Sequence, residues 1–251
     1  LSGFKTDNVT KFENMFSELD SLAELDLSRF ETDNVYSMKG MFQNSKGLVK
    51  INLAGWDNIN AIDMSEMFSG CSNLQTINLT GFETPSASDM NNMFKDCESL
   101  QTLDLTGFIT KNVVDMKYMF SGCKSLQTLD LSMFDTTDVN YMQYMFENCE
   151  KLQTLNLKNL NTGKVVNMES MFWGCQTLKS LDVSSFDTSQ VENMNGMFYN
   201  CKALQTLDVS RFQTGNVTDM GSMFSNCASL TDLNISNFVI GDTTDTGSMI
   251  W

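Results

Sequence analysis

The chain has 251 residues, 16 Lys and Arg against 31 Asp and Glu, a formal net charge of -15, one proline and no histidine. That charge repels nucleic-acid phosphates and anionic headgroups alike, so neither nucleic acid nor an anionic membrane surface is expected as a partner. No apolar run approaches the roughly 20 residues of a membrane span, so no membrane insertion is expected.

A Met-Phe pair recurs at Phe16, Phe42, Phe68, Phe94, Phe120, Phe146, Phe172, Phe198 and Phe224, always 26 residues apart and without insertion or deletion. So strict a period predicts a solenoid whose units bury their apolar faces against their neighbours. The reading is one domain, residues 1–251, of about nine and a half repeats. Leu1 falls in the register of Leu27 and Trp251 in that of Gln43, so both ends lie mid-repeat. The expectation is a fragment of a longer chain, or open ends that stack on something.

The unit that begins at Val113 shows the elements in order. Val113, Met116, Met119, Phe120, Cys123 and Leu126 are spaced by three or four, which predicts a short helical segment with one buried face. Asp115 stands at the N-cap, in a column with Ser37, Asp63, Asp89, Tyr141, Asn167, Asn193, Asp219 and Asp245. Asn44, Gly70, Asp96, Gly122, Asn148, Gly174, Asn200 and Asn226 form a column of types that tolerate a left-handed backbone, predicting the helix end. From Thr128 to Ser132 the period becomes two, which predicts a strand; stacked strands form a parallel sheet with rungs about 4.8 Å apart.

Leu126-x-x-Leu129-x-Leu131 is the core of a leucine-rich repeat, followed here by an aromatic column (Phe108, Phe134, Phe186) where Asn or Cys is usual. The pattern LxLSxFxTxxVxxMxxMFxxCxxLQT, as in residues 105–128 and 183–206, resembles the BspA-like leucine-rich-repeat surface proteins over essentially the whole chain. The resemblance implies extracellular or cell-surface display, and binding or adhesion without chemistry. Departures gather at the ends: Leu19 and Ser45 replace the Cys, Phe12 a Met, and Thr246 and Ile250 the last Met and Phe. An irregular final coil is expected. The fold class is therefore an α/β repeat protein, a right-handed leucine-rich-repeat solenoid with a parallel sheet on one face and short helices on the other.

Seven cysteines, Cys71 to Cys227, form one column; they share one side-chain direction and their count is odd, so free buried thiols are expected rather than bridges. With no CxxC and no Cys/His pair, metal ligation is not expected, and no cofactor is implied. The methionine columns read as core.

On the strand face the outward column contains Asp104, Asp130, Asp182 and Asp208, flanked by Thr76, Thr102, Thr128, Thr154 and Thr206. Adjacent carboxylates there are expected to raise a pKa by repulsion or to attract a cation such as calcium. The plainer reading is a solvated ridge, and the remaining ones are a polar surface for protein or glycan, or an ice-binding array. On the helical side, Tyr118 and Tyr144 share one column, Trp173 and Tyr199 another, with Tyr141 between; aromatics of this kind are enriched in binding hot spots.

Catalysis is argued against: without histidine there is no Ser-His or Cys-His arrangement, and paired carboxylates on a shallow surface shape no substrate pocket. The leading function is a non-enzymatic binding module for a host or matrix protein or a glycan, through an extended repeat surface. The alternative is a structural protein that stacks end to end into a filament or sheath.

Overall fold

A computed structural model describes residues 4–250; Leu1 and Trp251, on which the mid-repeat ends were read, lie outside them. The chain winds as a solenoid with one 26-residue repeat per coil. Among the described residues seven short strands lie on one side: β1 (Glu24–Asp26), β2 (Lys50–Asn52), β3 (Thr76–Asn78), β4 (Thr128–Asp130), β5 (Thr154–Asn156), β6 (Thr206–Leu207) and β7 (Asp232–Leu233). They pair in parallel at an offset of one repeat, so Leu25 meets Ile51, Ile51 meets Ile77 and Leu129 meets Leu155. These central residues turn inward and their neighbours outward, the two-residue alternation of a half-buried strand.

The stack is not one continuous sheet as expected. It is divided into β1-β2-β3, β4-β5 and β6-β7. In the coil at the second break the Thr177 hydroxyl bonds the carbonyls of both Glu150 and Leu152, each at 3.0 Å. Nothing in the structure explains the first break, at residues 102–104.

The opposite side corrects the α/β assignment. Among the described residues there is no α-helix, and therefore none long and apolar enough to cross a membrane. The predicted helical segment is a run of turns, with two left-handed residues per coil, four apart: Gly40 and Asn44, Glu66 and Gly70, Tyr118 and Gly122, Tyr144 and Asn148. A right-handed helix cannot absorb a left-handed residue every turn. The amides alternate in use. Met41 and Ser45 donate to Met38 and Phe42 three residues back, while Met38, Gly40, Phe42 and Asn44 donate to Asp63, Ser65, Met67 and Ser69 of the next coil. Parallel bridges between coils run unbroken from Lys11 through Asp63 and Asp115 to Asp245. The ladder reaches the last coil despite Thr246 and Ile250, since Phe224 still donates to Met249.

The positions picked out by three-and-four spacing are nevertheless the core: Val113, Met116, Met119, Phe120, Cys123 and Leu126 are fully buried. Phe42, Phe68 and Phe94 stack at 5.3 Å within 8° of parallel. All seven thiols are free. Each donates to a phenylalanine carbonyl of the preceding coil, as Cys71 does to Phe42 at 3.0 Å and Cys123 to Phe94 at 3.2 Å. Ser45 takes the same place with its hydroxyl, donating to Phe16 at 2.6 Å.

A second buried ladder was not anticipated. Thr32, Thr84, Thr110, Thr136, Thr162, Thr188 and Thr214 are buried, and each donates to a carbonyl of the next coil. Thr136 also accepts the N–H of Asn161 at 2.7 Å, so one hydroxyl serves both backbone groups.

Candidate functional site

Asp104, Asp130, Asp182 and Asp208 are exposed on the strand face as expected, but their chemistry is inward-looking. Each Oδ1 accepts the backbone N–H two residues on, from Thr106 at 3.0 Å and from Ser132, Ser184 and Ser210 at 2.9 Å. These are Asx turns that end the strand and redirect the chain. The Ser132 N–H and hydroxyl hold Asp130 below the usual carboxylate range. The Ser184 and Ser210 hydroxyls and N–H groups do the same for Asp182 and Asp208. The expectation that neighbouring charges would raise these pKa values is overturned: local hydrogen bonds to the ionised form outweigh repulsion screened by water.

The half-buried N-cap column behaves differently. Asp63, Asp89 and Asp115 each cap the following turn, accepting the N–H of Ser65, Asn91 and Lys117 at 2.9 Å. Burial, helped by the charges of Asp115 and Asp63, pushes the Asp89 carboxyl up. Among the described residues, of these three only Asp115 pairs directly with a cation: Lys117 Nζ stands 2.9 Å from its Oδ2.

On the turn face the structure brings four of the five predicted aromatics into two stacks. Tyr118 lies on Tyr144 with ring centroids 4.6 Å apart and planes 2° from parallel. Lys95 Nζ lies over Tyr118 at 4.7 Å, and the Tyr144 hydroxyl donates to the Glu169 carboxylate. Burial, and next that hydrogen bond, push the Tyr144 phenol above its usual range; burial alone leads for Tyr118. Trp173 stacks on Tyr199 at 4.0 Å. All four are half-buried, not exposed as expected. With Lys95 before it and Tyr144 after it, Tyr118 has both faces covered, and its edge is what remains for a partner. Tyr118 and Tyr144 also hold φ of 55° and 61°, a conformation costing a bulky residue on the order of 1–2 kcal/mol. Tyr141 stands apart, exposed, with Lys117 Nζ 5.1 Å above its ring.

An exposed apolar column escaped the sequence reading. Tyr36, Ile62, Val114 and Val166 are 42%, 51%, 37% and 40% exposed. In the sequence they hide beside the buried Val35, Ala61, Val113 and Val165, and comparing the column with its polar members Ser88 and Asn140 is the signal that reveals them.

The family described as Mycoplasma protein of unknown function, DUF285, matches residues 1–104, 63–180 and 148–251, which together span the chain. No curated protein matches the sequence. Several solved structures are similar, three among them as follows. One is a leucine-rich-repeat protein of T. pallidum, 19% identical over 73% of this chain and 72% of that one, with a TM-score of 0.44. Another is a leucine-rich cell surface protein of Faecalibacterium prausnitzii, 19% identical over 90% of this chain, with a TM-score of 0.40; this chain covers 63% of its length. The third is a leucine-rich-repeat protein of Eubacterium ventriosum, 15% identical over 94% and 71% of the two chains, with a TM-score of 0.45.

Proposed function

The chain belongs to the DUF285 family, and from that premise we propose that it is a non-enzymatic binding module, displayed at the cell surface, that recognises a protein through its extended repeat surface. The observation that carries the reading is the pair Tyr118 and Tyr144, held side by side in left-handed backbone with their rings in register. Strain of this kind is retained where the surroundings fix it, and it clusters at binding sites. Regular coils use Gly40, Asn92 or Ser222 at this position, so the tyrosines are not required by the turn. A protein partner suits the geometry better than a glycan. A sugar ring stacks on a free aromatic face, and both faces of Tyr118 are covered, by Lys95 and by Tyr144, whereas ring edges and hydroxyls suit side chains and backbone carbonyls.

The test is a binding screen of the full chain against matrix proteins and a glycan array, repeated with Tyr144→Asn and Trp173→Ser combined. Saturable binding to a protein, lost in the double variant, is the expected result. Binding that survives it but fails in Asp130→Asn with Asp208→Asn moves the site to the strand face, and glycan binding alone overturns the reading. Light scattering over a dilution series accompanies the screen, and a mass that climbs with concentration into fibres would favour end-to-end assembly instead.

A further inference from the structure

The column Tyr36, Ile62, Ser88, Val114, Asn140, Val166 forms an edge between the strand face and the turn face. It spans five coil steps of about 4.8 Å, roughly 24 Å. Its backbone is a ladder: Ile62 donates to Tyr36 at 2.9 Å, Ser88 to Ile62 at 2.9 Å, Val114 to Ser88 at 2.9 Å and Asn140 to Val114 at 3.0 Å. The apolar side chains therefore project from a fixed frame, and a partner pays little to order them. Exposed apolar groups aligned in this way mark interaction surfaces.

The neighbouring column says what kind of partner fits. Asp63, Asp89 and Asp115 follow Ile62, Ser88 and Val114 directly and bridge one another in parallel. Asp115 is satisfied within the chain, because the residue two positions on is Lys117, whose Nζ meets Oδ2 at 2.9 Å. At the equivalent place Asp63 has Ser65 and Asp89 has Asn91, which engage only Oδ1. Among the described residues no lysine or arginine pairs with either carboxylate, and Oδ2 of each has no hydrogen-bond partner. The chain's own lysines already use this edge, with Lys11 over Tyr36 at 5.3 Å and Lys117 over Tyr141 at 5.1 Å. They bracket a stretch where no ammonium group pairs directly with Asp63 or Asp89, Lys117 acting on Asp89 only through longer-range attraction.

We propose that this edge docks a cationic, apolar-flanked segment of a partner protein, whose Lys or Arg supplies to Asp63 and Asp89 the charge that Lys117 supplies to Asp115, while its apolar residues cover Ile62 and Val114. This surface is separate from the aromatic stacks of the turn face and stands or falls independently of them.

The fold itself contains the variants needed. The column of Asp89 carries Asn at 167 and 193, where Oδ1 still accepts the capping N–H, and the column of Ile62 carries Ser88 and Thr218. Asp63→Asn with Asp89→Asn, and Ile62→Thr with Val114→Ser, therefore keep the coil.

The probe is a labelled peptide of alternating Leu and Lys, titrated with the full chain by fluorescence anisotropy. Either double variant should weaken binding about tenfold or more, the worth of a lost charge-assisted or apolar anchor, and added salt should weaken it in the parent. Asp130→Asn with Asp208→Asn removes the same charge from the strand face and should leave affinity unchanged. Equal loss in the strand-face pair would mean that the peptide responds to net charge alone, and would overturn the proposal. So would an alternating Leu/Glu peptide binding as well, or no binding by the Leu/Lys peptide.

Discussion

The Trp173 indole lies against Gly196 of the next coil, where a Cβ would stand 2.8 Å from Cε3 and 2.9 Å from Cζ3. Gly196 also holds φ of 59°. Its missing side chain therefore serves the turn and lets Trp173 reach Tyr199. Gly196→Ala should cost about 1–2 kcal/mol for the left-handed Cβ alone and displace the indole. Urea unfolding and tryptophan emission measure both effects; an unchanged emission maximum would show that the indole does not depend on this glycine.

Asn58 interrupts the buried threonine ladder. It is fully buried, its Nδ2 donates to Glu83 at 3.2 Å, and its Oδ1 has no partner. Thr84, one coil on, instead donates to Ile109 at 3.0 Å and accepts its N–H at 2.9 Å. Asn58→Thr should stabilise the fold by about 1–3 kcal/mol, the cost of a buried polar atom left unpaired. Thr136→Val should destabilise it, because the N–H and carbonyl of Asn161 both lose their partner. Denaturation midpoints moving the other way would refute the ladder's role.

Acid should act through the Asx turns. The folded-state pKa values of Asp130, Asp182 and Asp208 are depressed. Their contribution is thus present above the unfolded-state value, near 3.9, and is lost as pH falls through the lower folded-state values. The fold should weaken on acidification below about pH 4. Converting the three to Asn keeps each acceptor and should flatten that acid limb. Asp89 has the opposite sign: its pKa is raised, so its contribution falls as pH rises through the folded value, and Asp89→Asn should help at neutral pH. Thermal melts across pH 2 to 7 read both.

The thiol column should be chemically silent. Burial pushes Cys71, Cys123 and Cys175 up to about 12, so almost no thiolate exists near neutrality. Cys227, only partly buried, is raised to about 11. A thiol reagent at pH 8 should modify Cys227 first and the other six only on unfolding. Cys227→Ser should remove the early phase, and rapid modification of several thiols in the folded chain would contradict this packing.

The 26-residue period, the buried columns of Met116, Met119, Phe120 and Cys123, the inward leucines of the strands and the left-handed column of Asn44 and Gly70 were all legible in the sequence. So were the free thiols and the exposure of Asp130. Tyr118, Tyr144, Trp173 and Tyr199 pair as their columns indicated but are half-buried, while Tyr141 is exposed and apart, because whether a ring is bare depends on what the adjacent coil stacks on it. The apolar edge was missed because Val114 and Val166 read as extensions of the core beside Val113 and Val165.

The helix was the expectation that failed, and its failure separates the two sources of information. Apolar residues at intervals of three and four report only which positions face the core. Helical backbone and stacked turns share that pattern, and the residue types at 118 and 144 gave no warning of positive φ. What distinguishes the two is whether the N–H of Phe42 bonds within its own coil or to Met67 in the next. The repeat determined by itself that the chain would coil and which side chains would be buried. Where the backbone hydrogen bonds go was decided only when the neighbouring coil, a full repeat away in the chain, was in place to receive them.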